Sequence, residues 1–520
     1  MKRILFYYLL AVFGIGCLLR IVPIILNFPI PVGYDTVNYY LPNLYHFQNN
    51  WIELIISFPV YISIVYIFSY IFSIDVYYSF LVSNVTLYGL FSISIFLLSK
   101  TVMKQNLNRS LLFTVFVIFQ LASLRISWDL FRNLFSLILF NLFLLLVYYF
   151  KKKNTLNQMV SLFSIFSVSI ITIFSERLIG ILLIIVSFAY SILYRQKYMF
   201  IINLFFIFSF FSYFLTFDKT TFISTNLNII DKLLNPSNGQ NTFSQFDISI
   251  LFLSLYGILI PFFIYGFVFT KFKDGLLLIK LPLMISISFS FTWIIIPNYA
   301  FLVPERWLLI SGIYISLIAI YGFCLMVDSF LKQREKLKNA IIFLFLFGFV
   351  IYGFMFVAMP SGIVFSFPSF FQQNTGFIFP YSMNFNSIKI NDNPDLIKSI
   401  DWINSNTLNN SIIIGSKHWR GWFSLFMQPS HQYLFTEDLI DANNTLLNSK
   451  KIENLYLSLE KKFPNMCDNT NTNKNNKQTL YLIDLNNRLN TYLYPDLFGN
   501  IVHSTKSFII YNLSYKICHT

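Results

Sequence analysis

Long apolar runs separated by short polar breaks fill the first two thirds of the chain, and the pattern changes near residue 360. The runs fall at about 4–26, 76–99, 110–126, 131–150, 157–175, 178–194, 198–217, 248–270, 277–296, 306–327 and 340–358. Each is long enough for a helix to cross a bilayer, so the pattern predicts about eleven transmembrane helices. A further run, 54–73, is interrupted by Pro59 and has no basic residue at either end, and it reads as a helix lying in the outer interface. The first run follows Lys2 and Arg3 like a signal peptide. It is too long for one and lacks a small-x-small cleavage site, so it reads as a retained helix.

Charge in the breaks orients the spans. Lys100, Lys104 and Arg109, then Lys151, Lys152 and Lys153, then Arg195 and Lys197, then Lys271 and Lys273, then Lys332, Arg334, Lys336 and Lys338 fall in alternate breaks. Basic loops stay cytoplasmic. The N-terminus is therefore expected inside and the tail outside. Had 54–73 crossed, every later loop would flip and the bias would reverse.

Beyond about residue 360 polar residues rise and strand-like runs appear at 411–415, 479–485 and 507–515, with helical stretches near 394–405 and 448–462. These predict a small α/β domain. The expected architecture is a polytopic α-helical membrane protein: residues 1–358 form the transmembrane domain, with an outer loop at 27–75, and 359–520 form an extracytoplasmic α/β domain. Residues 467–478 are a polar low-complexity loop, and no internal repeat supports an inverted-repeat transporter.

Composition agrees. Of 520 residues, 56% are hydrophobic and 12% charged, and the mean hydropathy is +0.63. A soluble domain carries about a quarter charged residues. The net charge of +14 does not argue for nucleic acid, because orienting loops and anionic lipid account for it. Cys17 and Cys324 lie in apolar segments, while Cys467 and Cys518 lie in the polar tail, where a disulfide stays open.

Four outer breaks carry the candidate chemistry. The first, "PVGYDTVNYYLP", holds Asp35 between Tyr34 and Tyr39. Tyr40, Leu44, Phe47 and Trp51 follow as one stripe of a surface helix. Asp35 has two readings: an N-terminal helix cap, or a base or metal ligand facing an outer cavity. The second, "LRISWDLFRN", holds Arg125, Asp129 and Arg132. They are spaced to pair along a helix, or to supply a second acid and a guanidinium fork for phosphate. The third holds Glu176 and Arg177, and the fourth holds Glu305 and Arg306 at the start of a span. Either Glu can be structural, and Arg306 sits at headgroup depth, suited to snorkelling or to a lipid phosphate. Asn409, Asn443 and Asn512 begin glycosylation triplets, and His418 and His431 read as surface or structural histidines.

This order resembles the GT-C fold glycosyltransferases, which include oligosaccharyltransferase catalytic subunits and protein O-mannosyltransferases, and especially their archaeal-type members. A basic N-terminus and one span are followed by "GYDTVNYYLP", then "FPVYISIVYIFSYIFSIDVYYSF", many spans and a mixed tail. The stretch 393–425 is similar to the helix, strand and aromatic turn opening the oligosaccharyltransferase soluble domain. Where that turn bears Trp-Trp-Asp-Tyr-Gly, this chain reads Lys417-His418-Trp419-Arg420-Gly421-Trp422, so the resemblance does not carry sequon recognition. It also has one first-loop acid where that pattern has an Asp-x-Asp pair. The resemblance implies sugar transfer from a polyprenyl-phosphate donor to a protein, lipid or glycan acceptor at the outer face. Asp35 is then the catalytic acid position, and Arg306, Arg132, Arg125, Glu305, Glu176, Tyr34 and Tyr39 are donor-site candidates. If a metal is used, Asp35 and Asp129 favour Mg2+ or Mn2+. The alternative is an inactive relative that binds lipid or a partner protein.

Overall fold

The computed structural model describes residues 2–31, 33, 35–46, 60–150, 155–217, 245–269, 274–294, 304–331, 334–358, 392–416, 419–435, 479–485 and 500–513. These sort into two compact units, Met1–Phe28 with Leu44–Asn384, and Pro29–Asn43 with Phe385–Thr520.

The first unit is helical. Its elements are α1 (Lys2–Asn27), α2 (Leu41–His46, entering from the other unit), α3 (Tyr61–Phe72), α4 (Val76–Leu97), α5 (Leu107–Phe119), α6 (Leu121–Asp129), α7 (Phe131–Phe150), α8 (Thr155–Ser175), α9 (Arg177–Leu193), α10 (Lys197–Phe217), α11 (Gln245–Tyr256), α12 (Ile260–Phe269), α13 (Asp274–Ser290), α14 (Pro304–Phe330) and α15 (Glu335–Ala358). Every one of the eleven apolar runs is helical. Six helices among the described residues are long and apolar enough to cross a membrane, or seven if a bent pair counts as one.

That bent pair corrects the expected straight span at 110–126: α5 and α6 meet at 60°. Gln120 leaves the helix in an extended conformation, and its side chain accepts from the Ala122 amide at 2.6 Å, capping α6. Its amide nitrogen donates to Leu255 O at 3.2 Å, beside a second break at Gly257–Leu259. Tyr88 OH donates to Ile118 O at 2.6 Å. Backbone carbonyls near both breaks thus have side-chain donors, as packed joints in an apolar medium require.

Polar contacts fix the up-and-down order. At one end of the bundle Tyr8 donates to Asn108 and stacks near Phe96, while Asp328 accepts from Arg109 at 2.8 Å and pairs with Lys338. At the other end Arg20 meets Trp128 and Phe131, and Arg132 meets Ser175. Helix α3 begins with Tyr61 on Asn84 and against Phe131, and ends beside Asp75, the cap of α4. Its 12 residues span about 18 Å, shorter than a hydrocarbon core of about 30 Å. Residues 54–59 of the 54–73 run lie outside the described residues. Close crossings use glycine: a β-carbon on Gly322 would lie 2.1 Å from Phe262 O, where α14 meets α12.

The second unit is a five-stranded sheet with helices. Its elements are α16 (Asn393–Asn406), β1 (Ile412–Gly415), α17 (Arg420–Phe426), β2 (Gln432–Phe435), β3 (Leu480–Leu485), β4 (Asn500–Ser504) and β5 (Phe508–Asn512). The order is β2-β1-β3-β5-β4, parallel for β2, β1 and β3 and antiparallel for β5 and β4. The three expected strand runs are β1, β3 and β5. All four residues of β1 are buried, as a central parallel strand of β-branched residues should be. Helix α16 turns Leu396, Ile400 and Ile403 onto the sheet, spaced by four and three residues. The stretch near 448–462 lies outside the described residues.

Candidate functional site

The segment Pro29–Asn43, expected as part of an outer loop, is built into the α/β unit. Gly33 opens it at φ 109°, a conformation that favours glycine, and its carbonyl accepts from the Val37 amide at 3.2 Å. Residues Thr36–Tyr40 then form one π-helical turn. Val37 is 2% exposed and packs into the sheet's core with Leu396, Trp419, Trp422 and Phe423. The side-chain carbonyl of Asn38 accepts from the Gly421 amide at 2.9 Å.

Asp35 stands at the cap position of that turn, half-buried, with φ −67° and ψ −28°. Its carboxylate makes no capping hydrogen bond. This corrects the cap reading: a cap needs an extended backbone to reach the first amides, and Asp35 is already helical. Tyr39 is half-buried and meets Tyr40 edge-on at 5.2 Å, and its carbonyl accepts from Asn43. Tyr34 lies outside the described residues. The expected surface stripe is also corrected, since Tyr40 and Leu44 are buried and the π turn breaks the helical register. Phe47 and Trp51 lie outside the described residues.

The turn compared with the acceptor-binding signature is a short helix. Trp419 meets Phe508 edge-on at 5.4 Å, Trp422 stacks near Phe426 at 5.9 Å, and Phe423 stacks on Tyr433 at 4.1 Å. Its aromatics are therefore core, and its glycine faces the Asp35 segment. Lys417 and His418 lie outside the described residues. His431 is buried, and neither ring nitrogen has a hydrogen-bond partner among the described residues. Burial pushes its imidazole below the ordinary value.

The remaining candidates belong to the helical unit. Arg132 donates from Nε to Ser175 O at 3.1 Å and lies 3.8 Å from Glu176, tying α7 to the α8–α9 junction. Glu176 also caps α9, accepting from the Leu178 amide at 3.4 Å. Among the described contacts Arg132 thus meets both Ser175 and Glu176. The side chain of Asp129 is outside what is described. Arg125 is buried on α6, and Glu305 and Arg306 are half-buried in the first turn of α14. Tyr45 donates to Asp75 at 3.4 Å; burial, then that carboxylate, pushes its phenol up to about 12.

One residue went unmarked in the sequence. Arg20 of α1 is 3% exposed, donates to Trp128 O at 3.3 Å, and has its guanidinium 5.7 Å from the Trp128 ring and 5.3 Å from Phe131. An arginine inside an apolar run was the available signal. Among the described residues no three His, Cys, Asp or Glu side chains gather as a metal site.

No protein-family model matches the sequence, and no curated protein matches it. The fold does match solved structures. ArnT from Cupriavidus metallidurans bound to undecaprenyl phosphate is 11% identical, with a TM-score of 0.50 over 97% of this chain and 98% of that one. The same protein in the apo state is 10% identical, with a TM-score of 0.51 over 98% of each chain. The likeness runs the whole length. The expected polytopic membrane fold with a C-terminal α/β unit is the fold of this chain, and it is similar to that of ArnT.

Proposed function

We propose that this chain is a membrane glycosyltransferase that moves a sugar from a polyprenyl-phosphate carrier to an acceptor, with Asp35 as the reacting acid. The observation that carries the reading is Asp35 itself. It is a half-buried carboxylate at the head of a turn that the α/β unit holds in place. The whole-chain likeness to ArnT, crystallised with undecaprenyl phosphate, supports a lipid-linked donor. The acceptor gives its proton to Asp35 and attacks the anomeric carbon. The bond from that carbon to the phosphate oxygen breaks, its electron pair leaves with the polyprenyl phosphate, and the configuration inverts. Arg306, at the start of a span, is proposed to hold the leaving phosphate, with Arg132 and Arg125 as further candidates. Tyr34, Tyr39 and Glu305 are proposed to line the donor.

Basic loops set the N-terminus inside and the α/β unit outside in this reading. Mg2+ or Mn2+ would take oxygen ligands from Asp35 and Asp129. Among the described residues the donor set forms no metal cage.

The test is transfer of radiolabelled sugar from polyprenyl-phosphate donors in membranes carrying the wild type or Asp35→Asn. Loss of transfer at equal protein level supports the reading. Undiminished transfer removes Asp35. No transfer by either protein, with polyprenyl phosphate still bound, favours a binding subunit.

A further inference from the structure

Two contacts join residues 383 and 384 apart in the chain, and both fall within three residues of Asp35. The Gly421 amide donates to the Asn38 side chain at 2.9 Å. A β-carbon at Gly421 would lie 2.2 Å from Val37 O and 2.7 Å from Asn38 Cα. The backbone of α17 therefore rests directly on the backbone of the segment, a fit open to glycine alone. Val37 is held in the sheet's core from the same side. A hydrogen bond, a backbone contact and a buried side chain fix both the position and the rotation of a turn only five residues long, whose leading residue is Asp35.

A domain that only recognised an acceptor would have no need to grip this turn so closely. We infer that the Trp419–Trp422 turn of the α/β unit is the seat of the Asp35 segment, and that Asn38 and Gly421 are positioning residues for Asp35. This rests on the reading of Asp35 as the reacting acid. It assigns the α/β unit a part in the chemical step, carried out through the acid it holds. The magnitude follows from the contact. Relieving a 2.2 Å approach to the ordinary 3.4 Å or more moves the segment backbone by about 1 Å, since no flexible side-chain end is there to yield. A misplacement of that size costs up to about a hundredfold in rate.

The experiment uses the full chain in detergent with Gly421→Ala, Asn38→Ala and Asn38→Asp. Hydrogen–deuterium exchange of residues 33–43 is measured beside transfer kinetics. Both alanine variants are expected to exchange faster at 33–43 while β1, β3 and β5 stay protected. Their kcat is expected to fall at least tenfold at an unchanged KM for the donor. Asn38→Asp keeps the acceptor oxygen and restores protection and most of kcat. It also sets a second carboxylate three residues from Asp35, which raises the pH of the acid limb of kcat/KM. A merely structural role would not move that limb. Faster exchange with unchanged kcat overturns the positioning role, and unchanged exchange in Gly421→Ala overturns the seat. A wild type inactive with every donor overturns the functional reading and, with it, the role given to Asp35. In that case the exchange arm still decides whether the turn seats the segment.

Discussion

The link between Arg132 and Glu176 lends itself to a double-mutant cycle. At 3.8 Å the two charges attract by about 4 kcal/mol at an effective dielectric of about 20. Desolvation consumes much of that, and it falls unequally: the Glu176 side chain is 10% exposed and the Arg132 side chain 29%. Arg132→Ala strands the more buried charge and removes the bond to Ser175 O, so it should cost about 3 kcal/mol. Glu176→Gln leaves an arginine that reaches water and keeps the Ser175 bond, so it should cost about 1 kcal/mol. The double variant has no stranded carboxylate and should cost about 2 kcal/mol, which leaves about 2 kcal/mol of coupling. Equilibrium unfolding in mixed micelles, followed by circular dichroism, measures all four corners. Costs that add to within about 0.5 kcal/mol would refute the pairing.

Gly322→Val should part α14 from α12, because the β-carbon meets the Phe262 carbonyl, and should cost about 1–3 kcal/mol by overpacking; thermal unfolding in detergent measures it. His431 is neutral in its buried site, so its folded pKa lies below the unfolded value of about 6.5. Its contribution is complete above that value and is lost as pH falls through it toward the folded pKa, because the unfolded chain there binds more protons. Melting temperature measured from pH 8 to pH 5 should therefore drop on the acid side. The drop should be smaller in His431→Gln, with His503, lowered in the same direction by burial, supplying the rest.

Much of the fold was legible. Apolar runs of 17 or more residues have few fates other than a bilayer helix, and all eleven are helical. "SIIIG" and "TLYLIDL" read as strands because β-branched and apolar runs bounded by polar residues bury both faces of a sheet. By contrast "HQYLF" and "NIVHS" were passed over, because β2 and β4 lie at the sheet's edges and carry no such continuous run. Gln120 is one polar residue in an apolar run, and only the neighbouring Leu255 carbonyl makes it a joint.

Which residues seek the membrane, the three inner strands of the tail, and the acid after the first span can all be read along the chain. Those properties are local: they depend on transfer free energy and on period along a few neighbouring residues. What Asp35 is attached to depends on the folded chain. Its seat is Gly421, 383 residues after Asn38, and a glycine needed for close backbone approach looks in sequence like any other glycine. The contacts of Arg132 with Ser175 and Glu176, from the next helices, are likewise invisible to local spacing. Contacts between distant segments are set by which surfaces the whole chain can pack together, and no local pattern encodes that.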